Sequence, residues 1–164
     1  PLITITRVLD NPEKLMQVIV HELFHFQQVM SIGIEKYIAL YSKPDNMLGL
    51  CLREGSAEFL TSLVVKAITQ EKALNYLEKN LTEMKSKFIL DLKEKNSNYW
   101  LWGSLNQNEY PKLLGYAMGY KICESYYNGT ADKDKALKDI IGITQAEKFL
   151  DKSGFFQLSS ADHK

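Results

Sequence analysis

The chain has 164 residues, 45% of them hydrophobic, with 20 basic and 20 acidic side chains and a formal net charge of zero. That length and apolar content fit one globular domain with a real core and exclude a disordered chain. The charges are mixed along the chain without a long block of one sign, which excludes an electrostatic footprint for nucleic acid; the stretch from Lys85 to Lys95 mixes signs and reads as a solvated helix face.

In chain order, LITITRV (Leu2 to Val8) alternates residue types and is predicted as one short strand whose partner is not visible. Helices are predicted from there on. Asn11 is placed as an N-cap and Pro12 as the first helical residue, where proline is favoured. From Leu15 to Met30 the pattern is apolar on nearly every side, which predicts a helix buried in the centre of the domain. SKPDN (Ser42 to Asn46) interrupts it. A second long helix is predicted over about Met47 to Thr69 and a third, charged and amphipathic, over roughly Glu71 to Lys95. NSNYWLWGSLNQNEYP (Asn96 to Pro111) reads as a structured loop. KLLGYAMGYKICESYYNG forms a fourth helix stopping at Asn128 and Gly129, and two short helices follow, the second announced by Thr144 and Glu147 as a capping box. The fold class is mainly α, or α+β if the first strand belongs to a sheet, in a single domain over residues 1–164. Cys51 and Cys123 are too few for a disulfide scaffold, and either one bridge or two free thiols is allowed. No run reaches membrane-spanning length, and no signal peptide is visible.

The chemistry sits in VIVHELFHFQQ. Two of the three histidines in the chain lie four residues apart within this apolar stretch. Four residues bring side chains to one helix face, so His21 and His25 direct two imidazoles at one point, with Glu22 on the adjoining edge. This is the H-E-x-x-H arrangement. Zinc accepts imidazole nitrogen readily; two histidines and one carboxylate leave a fourth position for water, whose pKa the metal lowers, and Glu22 is then the general base. Core histidines satisfied by ordinary hydrogen bonds are the competing reading, and the burial cost of such groups argues for a metal. Glu22 and His25 also make the E-x-x-H element of di-iron bundles, but those need a second such element. The remaining histidine, His163, lies in the polar tail.

The third ligand is sought on the second long helix, in Arg53-Glu54-Gly55-Ser56-Ala57-Glu58-Phe59. Glu54 and Glu58 are one turn apart, so one can bind metal while the other orients a ligating imidazole, and their spacing leaves the roles open. Gly55 and Ala57 are expected to let this helix approach the zinc helix closely. On the fourth helix, Gly115 and Gly119 form a smooth stripe for a neighbour. Tyr116 or Tyr120 on the adjoining edge is a candidate to stabilise an oxyanion; core aromatics with satisfied hydroxyls are the alternative.

H-E-x-x-H followed by E-G-x-A-E on a second helix resembles the gluzincin metallopeptidases. The resemblance implies one zinc ion held between two long helices, with Glu54 as third ligand and Glu58 supporting a zinc histidine. LLGYAMGYKICESYY (Leu113 to Tyr127) and AEKFLDKSGF (Ala146 to Phe156) are similar to segments of a bacterial family of predicted zinc-dependent proteases, whose relatives include gliding-motility lipoproteins. Together these pieces cover roughly Val18 to Phe156. Gluzincins usually carry a β-sheet upstream of the zinc helix, and here only LITITRV stands there; part of an upstream sheet region is expected to be absent from this chain, which opens at Pro1. No G-x-M-E-N segment occurs, so an endopeptidase acting on a peptide or protein substrate is the default expectation. The rival from another class is a non-catalytic zinc-binding or assembly module.

Overall fold

A computed structural model describes residues 11–41, 46–94, 98–101 and 110–157. The predicted strand, Leu2 to Val8, and His163 lie outside the described residues. Within them every regular element is a helix, and the fold is mainly α. In chain order these are α1 (Pro12–Ile32), α2 (Ile34–Tyr41), α3 (Met47–Val65), α4 (Glu71–Lys79), α5 (Leu81–Glu94), the single turn α6 (Asn98–Leu101), α7 (Leu114–Gly129), α8 (Lys133–Ile141) and α9 (Ala146–Ser153).

Local chemistry accounts for several of the boundaries. The Asn11 side chain accepts from Glu13 N and Lys14 N, both at 3.1 Å, and Pro12 occupies the first helical position as expected. Gly33 ends α1 at φ 83°, a conformation that favours glycine, with its N–H on Val29 O. Asn46 caps α3 through Gly49 N at 2.8 Å. That helix stops at Val65 rather than Thr69, because Lys66 turns into the left-handed region at φ 53°. The expected single helix from Glu71 is two helices. Asn80 breaks it, its side chain donating to Tyr76 O at 2.9 Å and so competing with the helical backbone pattern. The capping box at Thr144 is not made: Gln145 is the N-cap of α9 and no side chain caps it. Within the predicted loop Asn96 to Pro111, Asn98–Leu101 is helical and buries Trp100 and Leu101.

The core lies around α3 and α7, which pack on each other more extensively than any other pair; α1 against α3 comes next. Leu52, Leu77, Phe88, Trp100, Met118 and Ile122 are among its buried members. Gly55 is used differently from expectation. It approaches Gly119 of α7, not the zinc helix: a Cβ on Gly55 would lie 2.3 Å from Gly119 C, and one on Gly119 would lie 1.9 Å from Cys51 O. The Gly115 and Gly119 stripe therefore has α3 as its neighbour. Cys51 and Cys123 are both buried free thiols, and burial pushes both thiol pKa values up.

The prediction for α1 needs the largest correction. It is not the buried centre: Gln28 is the one fully buried residue of α1, while Met16, Ile19, Leu23, Phe26 and Met30 are 45 to 66% exposed. A helix that is apolar all round has no sequence feature marking which side is covered, and here α3 covers the side that carries the polar groups. No helix among the described residues is long and apolar enough to cross a membrane.

Candidate metal centre

The inner face of α1 carries His21, His25 and Gln28, at helical spacings that bring all three toward α3. On α3, Glu54 and Glu58 meet them one turn apart. His25 Nε2 lies 3.0 Å from His21 Nε2 and 3.2 Å from Glu54 Oε2, and His21 Nε2 lies 3.4 Å from the same oxygen. Donor atoms of all three residues lie within 4.8 Å of one another.

Those separations suit zinc. Three donors each about 2.0–2.1 Å from a tetrahedral ion stand about 3.3 Å apart. The hydrogen-bonding state of the imidazoles points the same way. His21 Nδ1 is buried with no hydrogen-bond partner, although Glu58 Oε1 stands 3.4 Å away. If Nδ1 carries its proton toward Glu58, the Nε2 lone pair faces His25 Nε2 and Glu54 Oε2. With the His25 proton likewise on Nδ1, facing Gln28 Oε1, three electron-pair donors converge on one point, an arrangement that only a proton or a cation relieves.

Arg53 decides which oxygen of Glu54 is offered. Its Nε and Nη2 donate to Oε1 at 2.8 and 2.6 Å, leaving Oε2 to face the two histidines. Burial alone would raise the Glu54 pKa; the hydrogen bonds to His21 and His25, with the His25 and Arg53 charges, outweigh it and hold the carboxyl well below the usual range. Burial likewise works to lower His25, but the Glu54 hydrogen bond and charge, with smaller contributions from Gln28 and Glu22, raise it overall. Glu58 moves the other way: desolvation raises its pKa against the opposing Thr69 hydrogen bond and His21 charge. Thr69 donates to Glu58 Oε2 from just beyond the end of α3.

Glu22 lies between the histidines in sequence but on the exposed edge of α1, close enough for its charge to act on His25 and on Tyr37 of α2. The two candidate tyrosines part company. Tyr116 is half-buried beside the centre, where burial first, then the Glu54 charge and hydrogen bond, keep its hydroxyl protonated far above its ordinary pKa. Tyr120 points into the core, with its ring edge-on to Phe59 at 5.5 Å and its hydroxyl 3.2 Å from Ser62 Oγ. The structure thus brings His21, His25, Glu54, Glu58, Glu22 and Tyr116 together and leaves Tyr120 apart.

Arg53, Gln28 and Tyr37 were not singled out in the sequence. Gln28 has a signal that can be read there, a polar residue three positions after His25 on the inward face; Arg53 and Tyr37 have none, because only the meeting of helices puts them at the site.

No curated protein and no solved structure matches the chain. A family model described as predicted Zn-dependent protease matches residues 2–149, a span that holds every residue of the centre. This chain belongs to that family of predicted Zn-dependent proteases.

Proposed function

We propose that the chain is a zinc-dependent peptidase of gluzincin type, with His21 Nε2, His25 Nε2 and Glu54 Oε2 as the protein ligands of one zinc ion. The observation that carries this reading is the convergence of those three atoms beside an exposed Glu22. Zinc held there supplies a Lewis acid for a substrate carbonyl and lowers the pKa of a water in its open position.

The residues of the chain supply the rest. Glu22 stands at the solvent-facing edge, where it accepts a proton from the attacking water and delivers it to the leaving amine nitrogen as the peptide C–N bond breaks and the new C–O bond forms. Glu58 faces His21 Nδ1 and orients that imidazole. Arg53 occupies Glu54 Oε1 and leaves Oε2 as the oxygen that would hold the metal. Tyr116, half-buried and held protonated, is the candidate donor to the oxyanion of a tetrahedral species.

Among the described residues, the groups that meet as a metal-holding cluster number three, and Glu58 reaches the centre only through His21. A structural zinc site would favour four protein ligands and has no use for Glu22, so this count favours the enzyme over a non-catalytic assembly module. The experiment is elemental analysis of the purified chain followed by peptide hydrolysis assays on Glu22→Gln. One equivalent of zinc is expected in both proteins, with hydrolysis at least about 100-fold slower in the variant. Retained hydrolysis removes Glu22 as the base, and absence of zinc after zinc is supplied overturns the metal centre.

A further inference from the structure

Gln28 is an amide with no solvent exposure in a helix whose opposite face is largely exposed. A buried amide is costly unless its donors and its acceptor are all used, and here the partners dictate which way it points. Its Nε2 donates to Arg53 O at 3.2 Å and to Ser56 Oγ at 2.7 Å. The Arg53 carbonyl can only accept. Ser56 Oγ spends its own proton on that same carbonyl at 3.0 Å, so it too must accept from Gln28. The amide nitrogen is therefore fixed toward α3, and Oε1 is fixed toward His25 Nδ1, 3.0 Å away.

We propose that Gln28 is a positioning residue that fixes the tautomer of His25, with the proton on Nδ1, so that Nε2 alone is offered to a metal. An amide oxygen carries no proton, so the bond to Nδ1 exists only if the imidazole donates it. The lone pair of a neutral His25 then lies on Nε2, the atom that stands 3.0 Å from His21 Nε2 and 3.2 Å from Glu54 Oε2. The same amide ties His25 to the backbone of Arg53, the residue before Glu54, so one side chain sets both the ring of one ligand and the height of the next along α3. A neutral support also divides the work with Glu58. His21 faces a carboxylate and His25 an amide, which keeps a further negative charge out of a centre that already holds Glu54 and Glu58.

The proposal rests on the zinc reading for the identity of the ligand, but the tautomer is a property of the chain itself. The test is imidazole nitrogen NMR on the 15N-labelled chain, metal-free at alkaline pH and after addition of zinc, together with zinc affinity by chelator competition, for the parent and for Gln28→Met. Methionine matches the length of glutamine and leaves Ser56 Oγ to satisfy Arg53 O. The expected result is an Nδ1–H tautomer for His25 in the parent, a mixture of tautomers in the variant, and zinc bound roughly 10–100-fold more weakly by the variant. An Nε2–H or mixed tautomer in the parent overturns the proposal without reference to any variant, and so does a folded variant with the parent's tautomer and affinity. If the methionine variant does not fold, Gln28→Glu, which keeps an oxygen facing Nδ1, replaces it: a retained Nδ1–H supports the proposal and mixed tautomers overturn it. A parent that binds no zinc sinks the metal centre, and the metal-free spectrum then decides the role of Gln28 separately.

Discussion

Helix α3 meets its two main neighbours by opposite means. Against α7 the contact is backbone on backbone, so close that a single added methyl group on Gly119 would collide with Cys51 O and one on Gly55 with Gly119. Against α1 the contact is made by polar side chains: Gln28 on Arg53 O and Ser56, His25 and His21 on Glu54, His21 facing Glu58. The first junction is closest where backbone meets backbone and cannot yield there, whereas at the site the second is held by groups whose spacing is set by hydrogen bonds and charge. A metal centre needs both, a fixed base for the carboxylates and a set of donors held apart at the right distance.

The largest effect should come from the rigid junction. Gly119→Ala forces α3 and α7 apart and is expected to cost about 3 kcal/mol or more, a large share of the stability of an ordinary domain. Thermal or urea denaturation measures it, and an unchanged midpoint would mean the helices do not touch as described. At the polar junction, His21→Ala should abolish stoichiometric zinc binding, read by elemental analysis, while the metal-free variant still folds because the α3–α7 contact is untouched. A variant that keeps one equivalent of zinc would remove His21 from the ligand set.

Smaller effects sharpen the division of labour between the two carboxylates. Glu54→Ala should eliminate tight zinc binding, whereas Glu58→Ala should weaken it by roughly 10–100-fold through the freed His21 ring. The reverse order in chelator competition would exchange their roles. The smallest effect is expected on the outer face of α1. Leu23 is 57% exposed, so Leu23→Lys should change the stability of this chain by no more than about 0.5 kcal/mol. A loss of several kcal/mol in the same denaturation assay would show that this face is packed against something.

The helices themselves were largely legible. Asn11 with Pro12 marks a boundary through local chemistry that the chain obeys, and α7 ends at Gly129 as expected, with Thr130 rather than a left-handed glycine as its C-cap. Predictions failed where a boundary or a burial depends on what lies alongside. Lys66 and Asn80 end helices that their sequence would have continued, and α1 looks like a core helix because its apolar residues surround it on all sides.

At the candidate centre the split has a simple cause. The helical period alone puts His21 and His25 on one face, and it puts Glu54 and Glu58 on one face of the next helix. A period of 3.6 residues treats two glutamates one turn apart as equivalents. Only the crossing of α1 on α3 decides which of them stands at the two Nε2 atoms and which behind Nδ1, that Arg53 claims the spare oxygen of Glu54, and that Gln28 ends up sealed between the helices. Those are relations between elements, and they are set by how far one helix slides along another, a quantity that neither sequence carries by itself.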